Sequence, residues 1–270
     1  MRSKITGGET SLLFTKTILN KYEVKYYKCK ETGFIQTEEP FWLEEAYSSA
    51  ITKLDIGLAS RNIYLTDRAS KLLIMNFNYE GVFLDYAGGY GLFTRLMRDK
   101  GFNFYNTDKY CPNLFAEHFS LADLPAETGF ELITAFEVLE HLPDPVEEIK
   151  KMLEFSDNLL FTTEIQPDKI ADFNNWTYLS LETGQHISFY TTSSLAYIAH
   201  HLGYNFYSDG KFLHMFSKRQ FNHDILMPQR DNFLLRKAKK FVKNTEEKIF
   251  GKKKSLLMTD WQYVKDKLNS

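Results

Sequence analysis

The chain has 270 residues, of which 43% are hydrophobic and 16% aromatic, enough for one large domain with a full core, or a domain with appendages. A formal net charge of −2 excludes a global pull toward nucleic acid. Two cysteines far apart, Cys29 and Cys111, exclude a disulfide framework and point to a reducing compartment. Met1 to Thr10 is polar and no apolar run reaches about 18 residues, so neither a signal peptide nor a membrane span is expected, and the expected location is cytoplasmic.

Lys25–Cys29 and Phe34–Thr37 flank the turn Glu31-Thr32-Gly33 and read as a hairpin. Cys29 has no second cysteine nearby, and tetrahedral structural zinc needs four ligands, so no metal is expected. Apolar spacing predicts helices over 41–54 and 59–77.

The chain then reaches Val82-Phe83-Leu84-Asp85, a buried strand, followed by a glycine turn and a helix from near Gly91 to Lys100. Gly88, Gly89 and Gly91 let the backbone turn sharply and let a ligand approach closely. A dinucleotide site asks for G-x-G-x-x-G, but Leu92, Phe93 and Thr94 follow Gly91, so the third glycine is missing. Asp85 at the strand end would repel a pyrophosphate and suits a cationic amine. This favours S-adenosylmethionine, which has an ammonium, a sulfonium and no phosphate. A second strand, Phe102–Thr107, ends in Asp108, 17 residues after Gly91. An acid there accepts hydrogen bonds from both ribose hydroxyls, and Lys109 and Tyr110 flank the adenosine. A short third strand is expected before Leu121-Ala122-Asp123-Leu124-Pro125. A fourth, 130–136, runs into Glu137-Val138-Leu139-Glu140-His141-Leu142-Pro143-Asp144-Pro145.

Asp85-Tyr86-Ala87-Gly88-Gly89-Tyr90-Gly91 and the segment 137–145 resemble the motifs of the class I S-adenosylmethionine-dependent methyltransferases. The resemblance implies an α/β fold: a Rossmann-like sheet of seven strands, its last hairpin antiparallel, with helices on both faces. It makes Ala87 the replacement of the family's first glycine, a mild change where φ is negative. It places Asp123 near the adenine, Glu137 near the methionine part of the cofactor, and His141 beside the substrate. It also implies that the N-terminal helices shape the substrate side, with Trp42, Tyr47 and Arg61 as candidate contacts. Trp176-x-Tyr178 and Gly184–Tyr190 resemble a subgroup common among bacterial sugar and cell-surface glycan methyltransferases, which implies a hydroxyl acceptor on a sugar or glycan intermediate.

A helix over 146–155 and a fifth strand over 158–163 lead to Glu164 and a long polar-aromatic stretch, 165–188. Thr191 caps a helix that ends at Gly203, and 204–207 with 212–217 form a last hairpin. His186 is the first candidate general base and His141 the second, because deprotonating a hydroxyl near neutral pH suits histidine. The chain divides into a hairpin and helical cap (1–78), a cofactor-binding domain (79–221) and a basic helical tail (222–270). The stretch 230–254 has ten Lys or Arg against three Asp or Glu, which suits weak contact with a membrane surface or a protein. Two other classes stay open: a catalytically inactive scaffold that binds S-adenosylmethionine, and an NAD-dependent oxidoreductase.

Overall fold

The computed structural model describes residues 1–48, 55–227 and 254–268. Strands β1 (Thr10–Ile18), β2 (Tyr22–Cys29) and β3 (Ile35–Thr37) form an antiparallel sheet. The expected hairpin is β2–β3, with Lys28 opposite Ile35. Strand β1 has no sequence counterpart because it buries only Ile18 and so shows little apolar alternation. The sheet is completed from far along the chain by β8 (Ser188–Phe189), which pairs with β3. The N-terminal cap and the substrate-side stretch therefore share one sheet. Helix α1 spans only Leu43–Ala46; the end of the helix expected over 41–54 lies outside the described residues.

The larger sheet contains β4 (Val82–Tyr86), β5 (Asn103–Thr107), β6 (Leu132–Ala135), β7 (Asn158–Thr162), β9 (Asn205–Ser208) and β10 (Leu213–Ser217). Its order is β5-β4-β6-β7-β10-β9. The first four strands are parallel, and β10 runs antiparallel to both β7 and β9. Every residue of β6 and β7 is buried, as parallel strands covered on both faces require. The reversed last hairpin agrees with the sequence expectation, but the sheet has six strands rather than seven. The expected third strand shrinks to one bridge between Asn106 and Ser120. The reason is local: the Asn113 side chain donates to the Ala116 carbonyl (2.6 Å) and to Ser120 Oγ (3.0 Å), folding the segment into a turn.

Helices α2 (Leu58–Asn76) and α3 (Leu92–Asp99) cover one face, packing Leu65, Leu73 and Met97 against Phe83 and Phe104. On the other face α4 (Pro145–Phe155) and α5 (Thr192–Leu202) pack Ile149, Met152, Leu195 and Ile198 against Leu84, Ile133 and Phe161. Asp144 caps α4 with Pro145 at its first turn. Thr191 caps α5, and Gly203 ends it at φ 74°. No helix among the described residues is long and apolar enough to cross a membrane.

A last helix, α6 (Leu257–Leu268), docks on α3. Arg98 Nε and Nη2 donate to the two Asp260 carboxylate oxygens, each at 2.8 Å, and Arg95 Nη2 lies 3.0 Å away. The Arg98 and Asp260 side chains are each 5% exposed. The basic run of 230–254 lies outside the described residues, save Lys254. Breaking a buried pair costs about 3–5 kcal/mol because the partner charge is stranded. Asp260→Ala is expected to release α6 instead, so that Arg98 regains water. Amide exchange over 257–268 should then speed up on the order of 100-fold, the equivalent of about 3 kcal/mol, with β4 and β6 unchanged. Unaltered exchange in α6 would show that this pair does not dock the helix.

Candidate active site

The carboxyl ends of β4, β5, β6 and β7 open on one cavity of about 1270 Å³. Such an edge is where open α/β sheets bind ligands. The volume exceeds the range of about 300–1,000 Å³ usual for one small molecule, so a cofactor and an acceptor fit together.

The glycine turn forms the first wall. Ala87, Gly89 and Gly91 have φ of 54°, 56° and 81°. The replacement of glycine by Ala87 would be mild only at negative φ; the turn holds this alanine in the left-handed region, at a cost of about 1–2 kcal/mol. Gly88 has no room for a side chain: a Cβ there would lie 2.2 Å from both Asn106 Oδ1 and Asp85 Oδ2. Asp85 sits beneath the turn, 2% exposed. Its Oδ1 accepts from Thr134 Oγ1 at 2.7 Å and its Oδ2 from Thr94 Oγ1 at 3.4 Å. Burial pushes its pKa up to about 7, against the pull of the two threonines.

Asp108 is the tie between the turn and the β5 loop. Its Oδ2 accepts from Gly89 N at 2.9 Å, and its Oδ1 from Tyr110 N at 2.7 Å and Cys111 N at 2.8 Å. Lys109 and Tyr110 stand exposed at the rim of the cavity, and Tyr110 stacks on Tyr47 with ring centroids 5.4 Å apart. Asp123 is a correction. It is exposed, does not line the cavity, and accepts from Ser120 N at 2.8 Å as half of a capping box. Its carboxylate is used by its own turn.

At the end of β6, Glu137 has φ 56°. Its N–H donates to Thr162 Oγ1 (2.7 Å), and that hydroxyl donates back to Glu137 Oε1 (2.8 Å). Its Oε2 lies 3.6 Å from Arg61 Nε, while Arg61 Nη2 holds Asp55 at 2.8 Å. Burial pushes the Glu137 pKa up, and Arg61 and Thr162 oppose it. Two non-glycine residues in the left-handed region, Ala87 and Glu137, thus sit at adjacent strand ends, where strain of this kind marks functional sites. Of the candidate contacts from the cap, Tyr47 and Arg61 line the cavity. Trp42 does not: it is 2% exposed in the core of the small sheet and donates to the Gly184 carbonyl at 2.8 Å.

The far wall is two segments laced together. Ile187 N donates to the Glu140 carbonyl (2.9 Å), Ser188 Oγ to Leu142 O (2.9 Å) and Tyr190 Oη to Leu139 O (2.8 Å). This lacing brings His141 and His186 together, with ring centroids 4.8 Å apart. His141 Nδ1 donates to the Gln185 carbonyl at 3.1 Å and His186 Nδ1 to the Tyr178 carbonyl at 2.6 Å. Burial pushes the His141 pKa down to about 4 and that of His186 down to about 3. Glu140 is fully buried beside them, and burial with the nearby Glu137 charge pushes its carboxyl well up. From sequence, Glu140 and its neighbour Tyr178 stand only as parts of motifs, with no role given to either. The adjacent Glu140-His141 pair is the signal that could have found the first.

Residues 59–209, more than half the chain, match the family model described as "Methyltransferase domain". The chain belongs to that family of S-adenosylmethionine-dependent methyltransferases. No curated protein matches it. Among solved structures it is similar to an O-methyltransferase family 2 protein from Planctomyces limnophilus in complex with apigenin (14% identity, 58% of this chain and 62% of that one, TM-score 0.41). It is also similar to the plantazolicin methyltransferase BpumL (8%, 66% and 93%, TM-score 0.47), and to the magnesium protoporphyrin IX methyltransferase of Synechocystis PCC 6803 (12%, 66% and 94%, TM-score 0.41).

The residues fit that cofactor. Asn106 Oδ1 is a buried acceptor with no partner among the described residues, placed beside the turn. Asp85 and Asp108, the carboxylates nearest the glycines, disfavour a pyrophosphate and suit an ammonium and ribose hydroxyls. The turn leaves backbone rather than side chains on that wall.

Proposed function

We propose that the protein transfers the methyl group of S-adenosylmethionine to a hydroxyl of a sugar or glycan intermediate. The observation that carries this reading is the far wall: two neutral histidines face the same cavity as the glycine turn. Around them Tyr47, Tyr178, Ser180, Thr183 and Gln185 supply ring faces and hydrogen-bonding groups, the mixture a sugar ring with its hydroxyls calls for.

When bound, S-adenosylmethionine supplies an electrophilic methyl whose sulfonium leaving group carries its own activation. The chain's part is alignment. Asp108 and Gly88, Gly89 and Gly91 hold the adenosyl end, with Lys109 and Tyr110 at its rim. Asp85 and Glu137 face the ammonium. His186 and His141, each with Nδ1–H committed to a carbonyl, turn Nε2 outward as hydrogen-bond acceptors for the hydroxyl. With pKa values near 3 and 4 they orient the hydroxyl well but are weak final acceptors of its proton. The near-neutral general base expected at His186 is not what burial produces.

The test is labelled S-adenosylmethionine with a panel of nucleotide sugars and glycan acceptors. The expected product is an alkali-stable methyl ether. His186→Ala should lower kcat by about 100-fold, the loss that misplacing the acceptor brings, and leave S-adenosylhomocysteine affinity within about two-fold. An alkali-labile ester or an N-methyl product would assign the acceptor to another class.

A further inference from the structure

The far wall has the features of a metal site. One ligand atom from each of Glu140, His141 and His186 lies within 4.8 Å of the other two. Both imidazoles are already in the tautomer that coordination requires. Each Nδ1 faces a backbone carbonyl, Gln185 O or Tyr178 O, so it carries the proton and leaves Nε2 with a bare lone pair. Metal-binding histidines are oriented in this way, by a carbonyl on the nitrogen that does not bind the ion.

Glu140 is the independent sign. It is 0% exposed, and neither carboxylate oxygen has a hydrogen-bond partner among the described residues. The Tyr178 hydroxyl lies beside it and is shared with Thr163 Oγ1 at 3.3 Å. A buried, unpartnered carboxylate is rare and costly. The nearest cation, the Arg61 guanidinium, is already engaged by Asp55 at 2.8 Å and Glu137 at 3.6 Å. A divalent cation would give the orphan oxygens a partner.

We propose that Glu140, His141 and His186 bind one divalent first-row transition-metal ion, whose open positions take oxygen atoms of the acceptor. Two histidines and a carboxylate on one side of an ion suit iron, manganese, cobalt or zinc and leave room for further ligands. An ion bonded at about 2.0–2.2 Å holds its ligand atoms roughly 3–4 Å apart, so the three side chains close slightly as it enters. The acceptor part of the inference rests on the methyltransferase reading; the three protein ligands do not. An ion there lowers the pKa of a hydroxyl that it holds, which is the activation that two buried histidines do not provide. Cysteine counting does not reveal such a site, because its ligands come from segments 45 residues apart and include no cysteine.

The experiment uses the untagged full chain, stripped with chelator and dialysed against Co²⁺, Mn²⁺ or Zn²⁺. The expected result is one ion per chain, with d–d absorption in the visible for Co²⁺. Glu140→Gln and His186→Ala should each weaken binding by at least roughly 100-fold, beyond the 10–100-fold typical of residues that only orient a ligand. Calorimetry with S-adenosylhomocysteine on the same samples shows that each variant is folded. Wild type that binds S-adenosylhomocysteine but none of the three ions overturns the metal site and leaves the methyltransferase reading intact. Ion binding undiminished in both variants also overturns it. Ion binding lost in the variants, by a chain that ignores S-adenosylhomocysteine, keeps the site and removes the acceptor role.

Discussion

Asp108→Ala is expected to weaken S-adenosylhomocysteine binding by 100-fold or more in a calorimetric titration. Three backbone N–H groups, of Gly89, Tyr110 and Cys111, converge on this carboxylate within 2.9 Å. Hydrogen bonds to a charged group contribute about 1.5–3 kcal/mol each, and about 2.7 kcal/mol is already 100-fold in affinity. The alanine variant loses the ribose acceptor and also the clasp that holds Gly89 against the β5 loop. Asp108→Asn separates these two roles. Its amide oxygen still accepts from Tyr110 N and Cys111 N, while its NH₂ opposes the Gly89 N–H, so a loss of about 10-fold is expected. NAD, offered to all three proteins, should bind none of them. Alanine and wild type binding S-adenosylhomocysteine equally would place the ribose elsewhere.

The glycine turn was legible because its determinants are local. Strand, turn and helix lie within one short stretch, and the spacing to Asp108 repeats the fold's own geometry. Asp123 was misplaced although the signal for its real role was also local: Ser120-Leu121-Ala122-Asp123 is a capping-box pattern, and the box is formed. The expected third strand is reduced to one bridge for a similar reason, since the Asn113 side chain holds the segment in a turn. The sign of φ at Ala87 was not legible, because alanine normally avoids the left-handed region. The far wall was legible only as parts. His141 and His186 stood out singly, but their meeting depends on the lacing of 139–142 to 187–190 and on β8 joining the N-terminal sheet. Burial, which decides the basicity of both rings and the state of Glu140, is a tertiary property that no spacing in the sequence records.

Asp85→Asn is expected to change stability and binding in opposite directions. The Asp85 carboxyl is fully enclosed, with Thr134 and Thr94 as its hydrogen-bond partners and Asp108 as the charged neighbour that raises its pKa further. Its folded pKa of about 7 lies above the unfolded value near 4. At low pH both states hold the proton and the group is neutral in its effect. As pH rises through about 4 the unfolded chain releases its proton while the folded chain keeps it, so stability falls. The fall ends near pH 7, where the folded carboxyl ionises too. Three pH units correspond to about 4 kcal/mol, an order-of-magnitude figure. The asparagine variant keeps the bond from Thr134 and has no such slope. In urea unfolding, the stability of the variant relative to wild type should therefore climb between pH 4 and pH 7 and stay level above. The same ionised carboxylate, costly in the empty protein, is what a cationic amine at the strand end stabilises, so the variant should bind S-adenosylhomocysteine more weakly at pH 8. A variant less stable than wild type at pH 8 would mean that the two threonines already compensate the charge, and that Asp85 serves the turn rather than the ligand.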